Sequence, residues 1–275
     1  VDLLLPQPLT VLIAGLLALL VWAPAQAEGK TLHRDAKQLI LVTPDGFNAA
    51  SASLQTFEKA EGGQDWKPVM KPARVVAGVK GFAWGWDQDI PSIGETGSRD
   101  TQTPALRKRE GDKRTPMGVY RLGRPFGFGE DTRADYMRLS AGKTFCVDDV
   151  NAPEYGKIVD RAGLPKKVSA ENMGVIPLYR KGFIVEFPEN RDKKSGSCIF
   201  LHLWRGQKQG TVGCVAMDEK TMGKLQKWVR PGAVIAILPP SATHLVGLRP
   251  TPVQTCAAPT GEHPACKPEE HPWQY

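Results

Sequence analysis

The alternation of apolar and polar positions along the chain predicts many short strands and few helices. Lys37–Val42 (KQLILV) reads as a first strand, Gly118–Leu122 (GVYRL) and Gly182–Phe187 (GFIVEF) as two more, and Ala233–Leu238 (AVIAIL) as a last, buried one. Between Gly78 and Trp86 apolar and small residues alternate, as in a strand followed by a turn. In Ser197–Trp204 (SCIFLHLW) the alternate members are Cys198, Phe200, His202 and Trp204, and Thr211–Met217 (TVGCVAM) follows as a further strand that a hairpin would pair with it. Helical spacing occurs twice. Leu54, Phe57 and Glu58 follow Ser53, and Met222, Leu225, Trp228 and Val229 form an apolar stripe behind Asp218, a good N-cap, with Pro231-Gly232 as the stop. Residues 91–116 are rich in Gly, Ser, Thr, Pro and charge and read as a long surface loop. From Pro239 the chain is rich in Pro, Thr and Ala, and residues 240–275 are expected to form a loosely ordered tail. Helices do not alternate with strands, so a doubly wound parallel sheet is excluded. The expected class is mainly β with a few short helices, a sandwich or barrel.

Composition narrows this further. With 41% apolar and 24% charged residues the chain is globular, and 28 Gly and 23 Pro argue against a helical bundle. Thirty-six Lys and Arg stand against 29 Asp and Glu, a net charge of +7, which favours anionic partners. Leu9–Pro24 is an apolar run of about 15 residues, shorter than a membrane span of about 20, and Ala25-Gln26-Ala27 after it is a small-x-small cleavage site. Residues 1–27 are therefore expected to be a signal peptide, or an anchor if uncleaved, and the rest to face the periplasm or cell envelope. No Lys or Arg precedes the apolar run.

In that oxidising setting the five cysteines acquire meaning. Cys256 and Cys266 flank a short loop in the tail, and Cys146 and Cys198 each adjoin strand-like residues. The expected pairing joins Cys146 to Cys198 and leaves Cys214 as a free thiol. Gly213 before Cys214 allows close backbone approach, and the amides of Gly213 and Cys214 are candidates for an oxyanion hole. His202 lies twelve positions upstream. A Cys–His pair is the minimum for a thiolate nucleophile. Papain-like enzymes put Cys before His, and sortases place His far upstream with a later Arg, so order and spacing argue against both. Arg205, Trp204 and Thr211 are candidate substrate contacts. No Cys/His/Asp spacing argues for a metal site, and no phosphate-binding loop or dinucleotide fingerprint occurs.

Two motifs resemble those of the L,D-transpeptidases, the YkuD or ErfK/YbiS/YcfS/YnhG family. The first is His202 followed by Thr211-Val212-Gly213-Cys214-Val215-Ala216, where the family has Ser/Thr-His-Gly-Cys with Arg or Asn two places on. The second is the segment from Glu110 to Tyr120, ending Thr115-Pro116-Met117-Gly118-Val119-Tyr120. The resemblance spans residues 38–239. It implies a YkuD-like β-sandwich or barrel catalytic domain, with Cys214 as nucleophile and His202 as base. The implied chemistry is acyl transfer on peptidoglycan stem peptides as donor and acceptor, giving 3→3 crosslinks or L,D-carboxypeptidase cleavage. It implies no cofactor, no metal, no nucleic acid, and membrane contact only through an uncleaved leader. Val212 and Ala216 depart from the pattern, and Arg205 could supply the missing cation. The competing class is a non-catalytic, exported wall-binding protein on the same scaffold.

Overall fold

The computed structural model describes residues 34–248 apart from 61, 87, 89–105 and 132. The leader, Cys256, Cys266 and most of the expected tail lie outside the described residues. The strands in chain order are β1 (Gln38–Pro44), β2 (Ser51–Lys59), β3 (Trp66–Pro68), β4 (Ala73–Val76), β5 (Phe82–Trp84), β6 (Thr115–Gly127) and β7 (Met137–Arg138). They continue as β8 (Thr144–Val147), β9 (Ile158–Asp160), β10 (Ala170–Asn172), β11 (Lys181–Glu186), β12 (Phe200–Leu203), β13 (Val215–Met217) and β14 (Val234–Ile237). Helix α1 spans Glu219–Trp228.

Strands β1, β14, β6, β11, β12, β13, β4 and β2 pair in that order, and β2 pairs back with β1, so the sheet closes into a barrel of eight strands. Closure pairs strands that an open sheet would leave as exposed edges. β1 pairs β14 in parallel, with Leu39 opposite Val234 and Val42 opposite Ile237, which explains why both runs are apolar without alternation: they are buried on both faces. The main core gathers Leu39, Leu41, Phe57, Leu201, Val215 and Ile235 with Met222 and Leu225 of α1. The Asp218 side chain caps α1 by accepting from the Thr221 amide at 2.8 Å, and Met222 and Leu225 are the buried part of its stripe.

A second, smaller core lies between the barrel and a separate three-stranded sheet in the order β10–β8–β9. Phe126, Tyr179 and Phe200 meet there edge-to-face, with centroids 5.5 to 5.9 Å apart. Gly182 makes room for this cluster: a Cβ would stand 2.3 Å from the Phe126 ring. Cys146 of β8 is bridged to Cys198 just before β12, with Cα atoms 6.0 Å apart, so the small sheet is tied covalently to the barrel.

Three expectations are corrected. The segment 53–60 is not helical: residues 53–59 are part of β2, which pairs with β1 over seven positions from Gln38–Glu58 to Pro44–Ala52. Eight residues are too few to nucleate a stable helix, and strand partners on both sides outweigh local spacing. Residues 240–248 are not loose: Pro240–Val246 forms a 3-10 helix that buries Ala242 and Val246 in the main core. Strands β12 and β13 are not a hairpin. They run parallel, with Leu201 opposite Val215 and His202 opposite Ala216.

Candidate active site

The parallel register decides which side chains meet. Leu201, Leu203, Val215 and Met217 enter the main core, whereas Phe200 and Cys214 enter the second core, where His202 touches Tyr179. Strand alternation therefore puts His202 and Cys214 on one face of the sheet. The return loop that makes parallel pairing possible leaves β12 at Trp204 and comes back through Thr211, whose amide donates to the Ala77 carbonyl at 2.8 Å.

The backbone around Cys214 is held by two threonine hydroxyls. Thr211 Oγ1 accepts from the Gly213 amide at 3.0 Å and donates to the Cys214 carbonyl at 2.6 Å. Thr115 Oγ1 accepts from the Gly78 amide at 2.8 Å and donates to the same carbonyl at 3.2 Å. The two sequence motifs thus meet at one carbonyl. Gly213 has φ +152°, a region L side chains rarely adopt, so the glycine is a backbone requirement. Its amide is taken up by Thr211, which leaves the Cys214 amide as the one of the expected oxyanion donors that this hydroxyl does not occupy.

Cys214 is the free cysteine among the described residues, and it is 5% exposed. Its Sγ–H donates to the Cys198 carbonyl at 3.4 Å. Burial, and after it the Glu171 charge, push the thiol up to about 12, while the Phe200 amide and Lys108 pull the other way. His202 Nδ1 lies 2.7 Å from the Leu203 carbonyl. A carbonyl only accepts, so Nδ1 carries the hydrogen and Nε2 is the basic nitrogen. Burial pushes the imidazole down to about 4, against the help of that hydrogen bond. Both groups are therefore neutral at rest, and the thiol's hydrogen-bond partner among the described residues is Cys198 rather than the imidazole.

A cavity of about 100 Å³ opens beside Cys214. Its wall includes Lys108, Glu110, Asp148, Glu171, Tyr179 and Val212. Lys108 is almost wholly buried, paired with Asp112 at 2.7 Å and donating to the Arg109 carbonyl at 2.6 Å. Glu110 accepts from Tyr155 at 2.6 Å and Ser197 at 2.7 Å. Tyr179 donates to Glu171 at 2.9 Å. None of these was singled out as an individual site residue in the sequence. Lys108 and Glu110 sit in the stretch that reads as a long surface loop, and Glu171 and Tyr179 carry no local pattern. Trp204 is half-buried and Arg205 is exposed, and neither lines the cavity; the cation that does is Lys108. Thr211 serves the backbone of Cys214. Among the described residues no group of three or more His, Cys, Asp or Glu could hold a metal ion, and no helix is long and apolar enough to cross a membrane.

Comparison with known proteins fits this arrangement. The YkuD family model, the L,D-transpeptidase catalytic domain, matches residues 83–237, which include β6, β12, β13, His202 and Cys214. No curated protein sequence matches the chain. Among solved structures, the helical cell shape determining protein Pgp2 from Campylobacter jejuni is similar at 14% identity, over 78% of this chain and 55% of that one, with a TM-score of 0.33. The chain thus spans little more than half the length of that protein, and at this TM-score the likeness carries no argument about function. The family match covers more than half of the chain and contains both strands that carry the Cys–His pair, and on that ground the chain belongs to the YkuD family of L,D-transpeptidase catalytic domains.

Proposed function

We propose that the chain is an exported cysteine acyltransferase acting on peptidoglycan stem peptides. The observation that carries this reading is the placement of a free thiol and a tautomer-fixed imidazole on one face of two adjacent parallel strands. In the proposed reaction Cys214 Sγ attacks the carbonyl that links the L-centre of the third stem residue to D-Ala. The S–C bond forms and the C–N bond breaks. The thiol proton passes to His202 Nε2 and from there to the departing amine, so D-Ala leaves neutral at nitrogen and a thioester remains. An amine from a second stem then attacks the thioester to give a 3→3 crosslink, or water attacks to give a carboxylate, and the thiol is restored. The Cys214 amide is the proposed donor to the oxyanion. No cofactor takes part in these steps.

A second reading, a wall-binding scaffold without turnover, draws support from the buried thiol that bonds to Cys198 instead of His202. Incubating the purified protein with a carbapenem and weighing it intact separates the two. One covalent adduct that disappears in Cys214→Ala supports the acyltransferase. An unmodified mass after prolonged incubation supports the scaffold.

A further inference from the structure

Glu171 and Tyr179 belong to neither sequence motif, yet both line the cavity at Cys214. Glu171 sits in β10, opposite Cys146 of β8, and so belongs to the small sheet that the disulfide ties to the barrel. Tyr179 sits in the 3-10 helix Pro177–Arg180, which runs directly into β11 of the barrel. Its hydroxyl donates to Glu171 Oε2 at 2.9 Å. Its ring meets the His202 imidazole edge-to-face, with centroids 5.2 Å apart and planes at 62°. A single carboxylate thus stands beside the thiol and, through one aromatic ring, against the imidazole.

We propose that Glu171 and Tyr179 are a positioning couple for the Cys214–His202 pair: Tyr179, tethered by Glu171, keeps the imidazole from turning, and the Glu171 carboxylate faces the thiol across the cavity they share. This rests on the acyltransferase reading for its purpose, but not for its test. The imidazole has two restraints, the Leu203 carbonyl at Nδ1 and the Tyr179 ring beside it. Turning the ring over would put Cδ2 where Nδ1 stands and Cε1 where Nε2 stands, breaking the Nδ1–H bond to the Leu203 carbonyl, and the tethered Tyr179 ring packs against the imidazole and opposes that rotation. Among the described residues, the charged and titratable groups that line the cavity beside the thiol are Glu171 from β10, Tyr179 from its 3-10 helix, Lys108 and Glu110 from the segment before β6, and Asp148 after β8, and His202 from β12 meets the Tyr179 ring. Lys108 is neutralised by Asp112, and Glu110 is occupied by Tyr155 and Ser197. After burial, the Glu171 charge raises the thiol, against the weaker pull of Lys108. Burial in turn raises Glu171 above the usual carboxylate range, with the Tyr179 hydrogen bond opposing.

The test uses two readouts that do not require turnover. One is the pH profile of Cys214 alkylation by iodoacetamide. The other is the tautomer of His202, read from its imidazole nitrogen-15 shifts. Glu171→Gln keeps an acceptor for the Tyr179 hydroxyl and removes the charge. Its alkylation profile is expected to move to lower pH by about one unit, roughly tenfold faster at a fixed pH on the rising limb, with the Nδ1–H tautomer retained. Tyr179→Phe keeps the ring and removes the tether. Its profile is expected not to move downward, while the two tautomers mix. Asp148→Asn, an exposed carboxylate on the same cavity wall, is the control and should shift the profile less than Glu171→Gln. The proposal is overturned if Glu171→Gln leaves the profile in place, if Asp148→Asn moves it as far, or if Tyr179→Phe retains the single tautomer. A wild-type protein that forms no carbapenem adduct would remove the acyltransferase reading and leave these two physical readouts standing.

Discussion

Cys214 and His202 are each pushed by burial toward the neutral form, and this shapes what single substitutions should do. Cys214→Ala is expected to abolish acyl transfer, and His202→Ala to lower it by at least the 10²–10⁴-fold, roughly, of one general base, since in the proposed reaction one imidazole serves two proton transfers. Single-turnover assays on a stem tetrapeptide with D-Ala release as the readout check both. His202 also sets a pH dependence of stability. The folded imidazole titrates near 4 against 6.5 for an unperturbed one. As pH falls, the unfolded chain takes up its proton first, so stability declines from about pH 6.5 until the folded imidazole titrates near 4. Urea midpoints measured across that window should fall more steeply for the wild type than for His202→Gln. Gly213→Ala puts a side chain at φ +152° with the Arg114 carbonyl 3.2 Å from the new Cβ. It is expected to cost about 1–3 kcal/mol and to slow carbapenem acylation, because the same backbone holds Cys214.

Among the elements, the small sheet depends most on a single bond. The Cys146–Cys198 bridge closes a separation of 52 residues, for which the chain-entropy estimate is about 4 kcal/mol. Reduction, or Cys146→Ala with Cys198→Ala, should lower the denaturant midpoint by a corresponding amount. Alkylation of Cys214 should also speed up, because the Cys198 carbonyl that holds its thiol is anchored by that bridge. Helix α1 is simpler. Its N-cap is local, Asp218 to the Thr221 amide and hydroxyl, and Asp218→Ala should cost about 1 kcal/mol in the same unfolding measurement.

At the scale of the whole molecule the barrel has seams of unequal length. β1 and β2 share seven paired positions, whereas β13 and β4 share one, Ala216 with Val76. Opening a seam with few ladder hydrogen bonds costs less. Amide exchange is therefore expected to be faster in β4 and at Ala216 than in β1 and β2, and equal protection across the two seams would contradict this. The same architecture separates what was legible from what was not. Runs such as QLILV and AVIAI declare buried strands because the apolar surface itself is the driving force, and α1 declares itself because its cap and stripe are local. The Thr211-x-Gly213-Cys214 pattern is legible because a hydroxyl, a positive φ and a free thiol sit within a few residues of one another. The sequence by itself therefore determined a β-rich fold, the capped helix α1 and the two side chains proposed for the chemistry. Only the tertiary structure decided the rest. Segment 51–59 is a strand because β1 and β4 flank it, and β12 and β13 run parallel because the loop between them crosses to Ala77. Lys108 from one part of the chain, and Glu171 and Tyr179 from another, reach the cavity at Cys214. Pairing partners, strand direction and the charges that face a buried thiol are set by long-range closure, and no local pattern encodes them.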